Sequence, residues 1–152
     1  MNEKDVLKSR RIKGRQIKHA PLVPIKLVVE HETQILIKTS TPYVAALKRI
    51  RKALDKFDKT STSNKKYCNG EYKKVKYISV KGMGRAIEKT LSIGLNFQDE
   101  LGYRIDILTG SVEVLDEFEV DDENGEEEYE ESVYKKRMVS FVEVRIFLKR
   151  NI

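Results

Sequence analysis

Residues 80–91 read VKGMGRAIEKTL. Two glycines one residue apart separate a β-branched run from a helix-like stretch, and Lys81 and Arg85 flank them. Glycines ahead of a helix leave backbone N–H groups and the positive end of the helix dipole open to an anion. Three uses suit such a turn: holding a mononucleotide phosphate, facing the backbone of a polynucleotide, or simply letting the chain pass from strand to helix. The stretch lacks the third glycine of G-x-G-x-x-G, where Ile87 stands, and has no Lys-Ser or Lys-Thr of a P-loop. The mononucleotide reading is the weakest of the three.

Other groups able to react are few. The two histidines, His19 and His31, lie in or beside a basic N-terminal segment, and Cys68 sits in a polar stretch with no local base. One cysteine permits no internal disulfide and no cysteine-based metal site, which points to a reducing compartment. Asp106 and Glu113 alternate with other residues along a strand, where a surface or cross-strand role is the default. No set of residues has the spacing of a nucleophile, its base and an orienting group. The expectation is a protein without catalysis, cofactor or metal.

Charge carries more information. The 152 residues include 30 Lys and Arg against 24 Asp and Glu, a formal net charge of +6. Eleven of the acids fall in DEFEVDDENGEEEYEE (116–131), leaving a body of 30 basic and 13 acidic residues. A body that basic attracts polyanions, and the acidic block marks a separate element. No apolar run approaches the roughly 18 residues of a membrane span, and the N-terminal region carries cations where a signal peptide is apolar.

The elements that must position these residues follow from periodicity. Residues 1–24 read as a basic flexible arm, and 25–152 as one domain. QILIKT (34–39) has strand character. In TSTPYVAALKRIRKALDKF, Thr41 suits an N-cap and Pro42 a first helical residue. Tyr43, Ala46, Leu47, Ile50, Ala53, Leu54 and Phe57 then share a helical face, with Lys48, Arg49, Lys52 and Lys56 opposite. Residues 58–74 read as a long loop, VKYISV (75–80) as a second strand, and Arg85 to Glu100 as a second helix. That helix has an apolar arc wider than the roughly 100° one sheet needs. Strands over 103–120 and 137–149 flank the acidic loop (121–135). The expected architecture is α/β, a two-layer sandwich in the order βαβαββ with a long final hairpin. In a βαβ unit with parallel neighbours, Lys38 and Lys81 would share one sheet end with the glycine turn.

The stretches TSTPYVAALKRIRKALD, VKGMGRAIEKTLSIGLNFQ, SVEVLDEFE and KKRMVSFVEVRIFL resemble the Alba-superfamily small protein subunit of eukaryotic nuclear RNase P and RNase MRP, in yeasts the seventh POP subunit. The resemblance implies an Alba-like fold and a non-catalytic RNA-binding subunit. It implies pairing with a sister Alba-like subunit on a helical arm of the catalytic RNA, beside other protein subunits. It also implies a nuclear, nucleolar location and a part in tRNA 5′-end maturation and pre-rRNA processing. The RNA contacts expected from the residues and the resemblance together are Lys38, Lys81, Gly82, Gly84, Arg85 and Lys89, then Lys48, Arg49 and Lys52. Arg145 is either a further contact or paired with a carboxylate. Ile87, Leu91, Gly94 and Leu95 are the expected dimer interface. A general Alba-type homodimer coating DNA or RNA is the alternative, and a small nucleotide-dependent enzyme a more distant one.

Overall fold

Helix α2, Tyr43–Asp58, forms where apolar residues recur at helical spacing, and it buries Ala46, Ile50, Leu54 and Phe57. The computed structural model describes residues 14–22, 25–58, 66, 70–119 and 132–151. Residues 1–13 of the expected arm, most of the loop after α2 with Cys68, and the insert at 120–131 lie outside the described residues. The chain divides into a larger unit, Val23–Val112 with Val139–Ile152, and a smaller one, Met1–Leu22 with Glu113–Met138.

In the larger unit a short helix α1 (Val28–Thr33) leads into strand β2 (Gln34–Ile37). Helix α2 follows, then a single turn α3 (Gly70–Lys73) and strand β3 (Tyr77–Met83). A 3₁₀ turn over Gly84–Ala86 opens helix α4, Ile87–Asp99. Strands β4 (Ile105–Glu119) and β5 (Ser132–Phe147) begin and end here and run on into the smaller unit. Strand β2 pairs parallel with β3, Ile35 facing Val80 and Ile37 facing Gly82. Strand β3 pairs antiparallel with β5, Ile78 facing Ile146 and Val80 facing Val144. The sheet order in this unit is β4–β5–β3–β2.

The period-two alternation of β2, β3 and β5 puts Ile35, Ile37, Ile78, Val80, Val144 and Ile146 on one face. Against them pack Ile50, Leu54 and Phe57 of α2 and Ile93 and Phe97 of α4, all buried. The other face carries Lys81, Phe141, Arg145 and Phe147 at half burial.

The smaller unit holds a strand that periodicity does not reveal. Residues Arg15–Lys18 form β1, antiparallel to β4 with Arg15 opposite Glu119 and Lys18 opposite Asp116. This short polar segment lies inside the stretch read as an arm, and it pairs with the acidic strand that begins the charge block. Asp116 is 3 % exposed. Its carboxylate takes a two-pronged ion pair from Arg137, Nε to Oδ2 at 2.7 Å and Nη2 to Oδ1 at 3.1 Å, and a third bond from Gln16 at 3.0 Å. The Arg137 hydrogen bond holds the Asp116 carboxyl below its ordinary range. A depressed carboxyl contributes stability above its unfolded value of about 3.9 and loses it as pH falls through the lower folded value. We expect Asp116→Ala to destabilise this unit by about 1–3 kcal/mol near neutrality. Hydrogen exchange at the β1 amides checks it, the difference from the parent shrinking below about pH 4.

The described elements follow the order βαβααβαββ, an α/β fold with a mixed five-stranded sheet and helices. The expected βαβαββ is extended by β1, α1 and α3. Two boundaries also differ: strand β5 begins at Ser132, inside the loop expected over 121–135 and ahead of the strand start expected at 137. Helix α2 begins one residue later than the capping pattern suggests, with Ala46 N–H donating to the Pro42 carbonyl at 3.0 Å. Thr41 uses its hydroxyl to accept the Lys38 N–H at 3.0 Å, closing the turn between strand and helix. No described helix is long and apolar enough to cross a membrane.

Candidate nucleic-acid interface

Parallel pairing of β2 and β3 brings their carboxyl ends side by side, with Ile37 opposite Gly82. Lys38 follows β2 and the glycine turn closes β3, so these two share the sheet end as expected, while the Lys81 side chain turns to the open sheet face over Phe141. Lys38, Gly84 and Arg85 are exposed at that sheet end. Neither Lys38 nor Arg85 has a side-chain hydrogen bond or ion pair among the described residues.

The two glycines serve different ends. Gly84 has φ of +54°, a left-handed conformation open to glycine at little cost. Gly82 is buried against α4: a Cβ there would overlap the Thr90 hydroxyl and lie 2.9 Å from the Ala86 carbonyl oxygen. Thr90 itself is buried and donates its hydroxyl to the Ala86 carbonyl at 2.8 Å. Gly82 therefore shapes the turn from beneath, while Gly84 and Arg85 present its surface.

Three of the expected cations are engaged within the chain. Lys89 donates from Nζ to the Thr39 carbonyl at 2.6 Å and the Thr41 carbonyl at 2.7 Å, tying α4 to the β2–α2 turn. Lys81 lies 3.9 Å above the Phe141 ring, on the sheet face away from the helices. Arg145 donates to Glu143 at 3.0 Å and stacks over Tyr77 at 4.8 Å. The Glu143 carboxylate, which also accepts the Ser79 hydroxyl, pushes the Arg145 guanidinium above its ordinary value. For Arg145, then, the carboxylate pairing is the arrangement found.

Helix α2 presents Lys48, Arg49 and Lys52 exposed, with no side-chain partner among the described residues. Lys56 and His31 lie outside the set of contacts expected from the sequence. With Arg49 and Lys52 they line one cleft between α1 and α2. Lys56 carries the right i+7 spacing from Arg49, but only the placement of α1 turns a solvated helix face into a concave one.

Of the expected dimer positions, Gly94 is buried and faces the chain's own sheet, where a Cβ would come 3.0 Å from Val144 Cγ1. Ile87 and Leu91 are half-buried and Leu95 is 52 % exposed, aligned at i, i+4 and i+8 on α4. Tyr43 of α2 reaches across to the Ser92 carbonyl at 3.3 Å, and its neighbour Val44 is 61 % exposed.

Residues 30–145 match the family described as the Rpp20 subunit of nuclear RNase MRP and P. The chain is 40% identical over 141 residues to the ribonucleases P/MRP protein subunit POP7 of Saccharomyces cerevisiae, a match covering 88% of this chain and 91% of that one. The family match spans the glycine turn, α2 and strands β2 and β3 together, and the chain belongs to the Rpp20 family of nuclear RNase MRP and P subunits.

Proposed function

We propose that this chain is a non-catalytic RNA-binding subunit of the RNase P and RNase MRP ribonucleoproteins. In this reading it adopts an Alba-like core, pairs with a sister Alba-like subunit, and grips a helical arm of the catalytic RNA. It thereby supports tRNA 5′-end maturation and pre-rRNA processing in the nucleus and nucleolus, alongside other protein subunits. The observation that carries the RNA contact is the set of unpartnered cations: Lys38 and Arg85 on the strand ends, and Lys48, Arg49 and Lys52 on α2. Phosphate contacts need such charges free, because each cation neutralising a phosphate releases a counterion. Gly84 and the 3₁₀ turn that opens α4 add backbone donors beside Arg85. Lys81, Lys89 and Arg145 contribute to the local field from their intrachain positions.

The pairing rests on the outer stripe of α4. Leu95 and Val44 leave apolar surface in water, and a partner that covers such surface gains roughly 25 cal/mol for each Å² buried. Gly94 has no part in that contact. We expect the isolated chain to self-associate loosely and to give a discrete one-to-one particle when co-expressed with the sister subunit. Sedimentation velocity checks this. A monodisperse monomer alone would remove the pairing, and a stable homodimer that coats DNA and RNA alike would favour the general Alba-type reading. Recovery of RNase P or RNase MRP RNA with the affinity-purified chain tests the function itself; if neither RNA is enriched over bulk RNA, the reading fails.

A further inference from the structure

The cleft between α1 and α2 has a volume of about 240 Å³. Its α2 wall carries Arg49, Lys52 and Lys56, at i, i+3 and i+7 and so on one stripe of the helix. All three are exposed and lack a side-chain hydrogen bond or ion pair among the described residues. Three free cations along one wall make the cleft a place for a phosphate group.

The rest of the lining says more than phosphate. Ala53, with Ile35 and Phe57 buried beneath it, gives the cleft a small apolar floor, which a bare anion does not use and a sugar or base does. The volume lies below the roughly 300–1,000 Å³ of sites for drug-sized ligands, so the occupant is small. The opposite wall contributes His31, Gln34 and Glu32. Glu32 Oε1 accepts Lys66 at 3.1 Å and the Tyr72 hydroxyl at 3.2 Å, while its Oε2 is buried with no hydrogen-bond partner among the described residues; the side chain as a whole is 31% exposed, so a hydroxyl meets the carboxylate at its exposed part. A carboxylate there repels a free anion but accepts a hydroxyl proton, as acidic residues do from a ribose 2′-OH in dinucleotide sites. Cations on one wall, a carboxylate on the other and a small apolar floor between them describe the parts of a ribonucleotide.

We infer that the α1–α2 cleft holds one ribonucleotide turned out of the RNA strand, its phosphate on Arg49, Lys52 and Lys56 and its sugar on the Glu32 side. The inference rests on the RNA-binding reading above and adds a pocket separate from the strand-end edge. It assigns α2 a role beyond a diffuse basic surface: the cleft discriminates RNA from DNA through the sugar.

The test is NMR on the isotopically labelled full chain, in complex with its partner where it needs one to stay dispersed. The reporters are the His31 imidazole and Arg49 guanidinium in the cleft and the Arg85 guanidinium on the edge. The probes are inorganic phosphate, a ribonucleoside 5′-monophosphate, and one single-stranded sequence made as RNA and as DNA. The RNA strand is expected to shift His31 and Arg49 at concentrations roughly two- to tenfold below those needed with the DNA strand, the worth of one hydrogen bond. The monophosphate shifts them and inorganic phosphate does so only weakly. Ala53→Met narrows the cleft without changing charge and is expected to abolish the cleft shifts while Arg85 still responds. If RNA moves Arg85 but leaves His31 and Arg49 unmoved, the inference is overturned and the edge stands. Silence at all three reporters overturns both. Equal response to RNA and DNA strands, or to inorganic phosphate and the monophosphate, overturns the assignment to a ribonucleotide. The wild-type titrations decide these outcomes even where Ala53→Met fails to fold.

Discussion

Gly82→Ala is expected to destabilise the chain by about 3 kcal/mol or more, the upper range for forcing extra volume into a packed core. The added Cβ meets the Thr90 hydroxyl and the Thr90 Cβ, and it lies 2.9 Å from the Ala86 carbonyl oxygen, which is backbone and cannot turn aside. Relief requires α4 to lift from β3, which opens the contact of Ile93 and Phe97 with the sheet. For a chain of this size the melting temperature should drop by about 6–12 °C. Adding Thr90→Ala removes the hydroxyl overlap and should recover part of that loss, while the Ala86 carbonyl keeps the remainder. Thermal melts of the single and double variants check this. An unchanged melt for Gly82→Ala would mean that α4 does not approach the strand as closely as described.

The second large effect concerns Gly94, in the middle of α4. Leucine there drives atoms beyond Cβ into β5, since Cβ alone already sits 3.0 Å and 3.4 Å from the two Val144 methyls. We expect Gly94→Leu to cost about 2–3 kcal/mol and Gly94→Ala to be close to neutral. The alanine methyl asks Val144 to yield a few tenths of an ångström, offset by about 1 kcal/mol of helix propensity gained over glycine. Urea unfolding of the chain with and without its partner separates two origins for the glycine. Intrachain packing predicts the same loss in both states. A loss seen only as weakened pairing would return Gly94 to the dimer interface.

Gly94 also illustrates what the sequence can and cannot disclose. A glycine among apolar residues on a helix signals close approach, but not of what; the neighbour is Val144, about fifty residues away in sequence. Helices α2 and α4 were legible because 3.6-residue periodicity is strong in both, and β2, β3 and β5 because their residues alternate or run apolar. Strand β1 was not, because RQIK has one apolar residue and its pairing comes from acids a hundred positions on. The strand-end edge was legible because a βαβ unit fixes which ends lie together. The uses of its lysines were not. Lys81 follows the strand alternation to the open face, and Lys89 reaches the carbonyls of a turn, Thr39 and Thr41, some fifty residues earlier. Lys56 and His31 come to line one cleft only through the placement of α1 beside α2.

The central claim is that free cations on the strand-end edge bind RNA backbone, and the salt dependence of RNA affinity tests it most directly. Titrations of the partner-bound chain with a helical RNA arm, at several salt concentrations, give the slope of log K against log salt. The parent should show a steep slope, near 0.9 for each phosphate neutralised. Lys38→Gln combined with Arg85→Gln should weaken binding and make the slope shallower by up to about 1.8, with an unchanged melting temperature, since neither side chain has a partner to lose. Unchanged affinity and slope in the double variant would contradict the account.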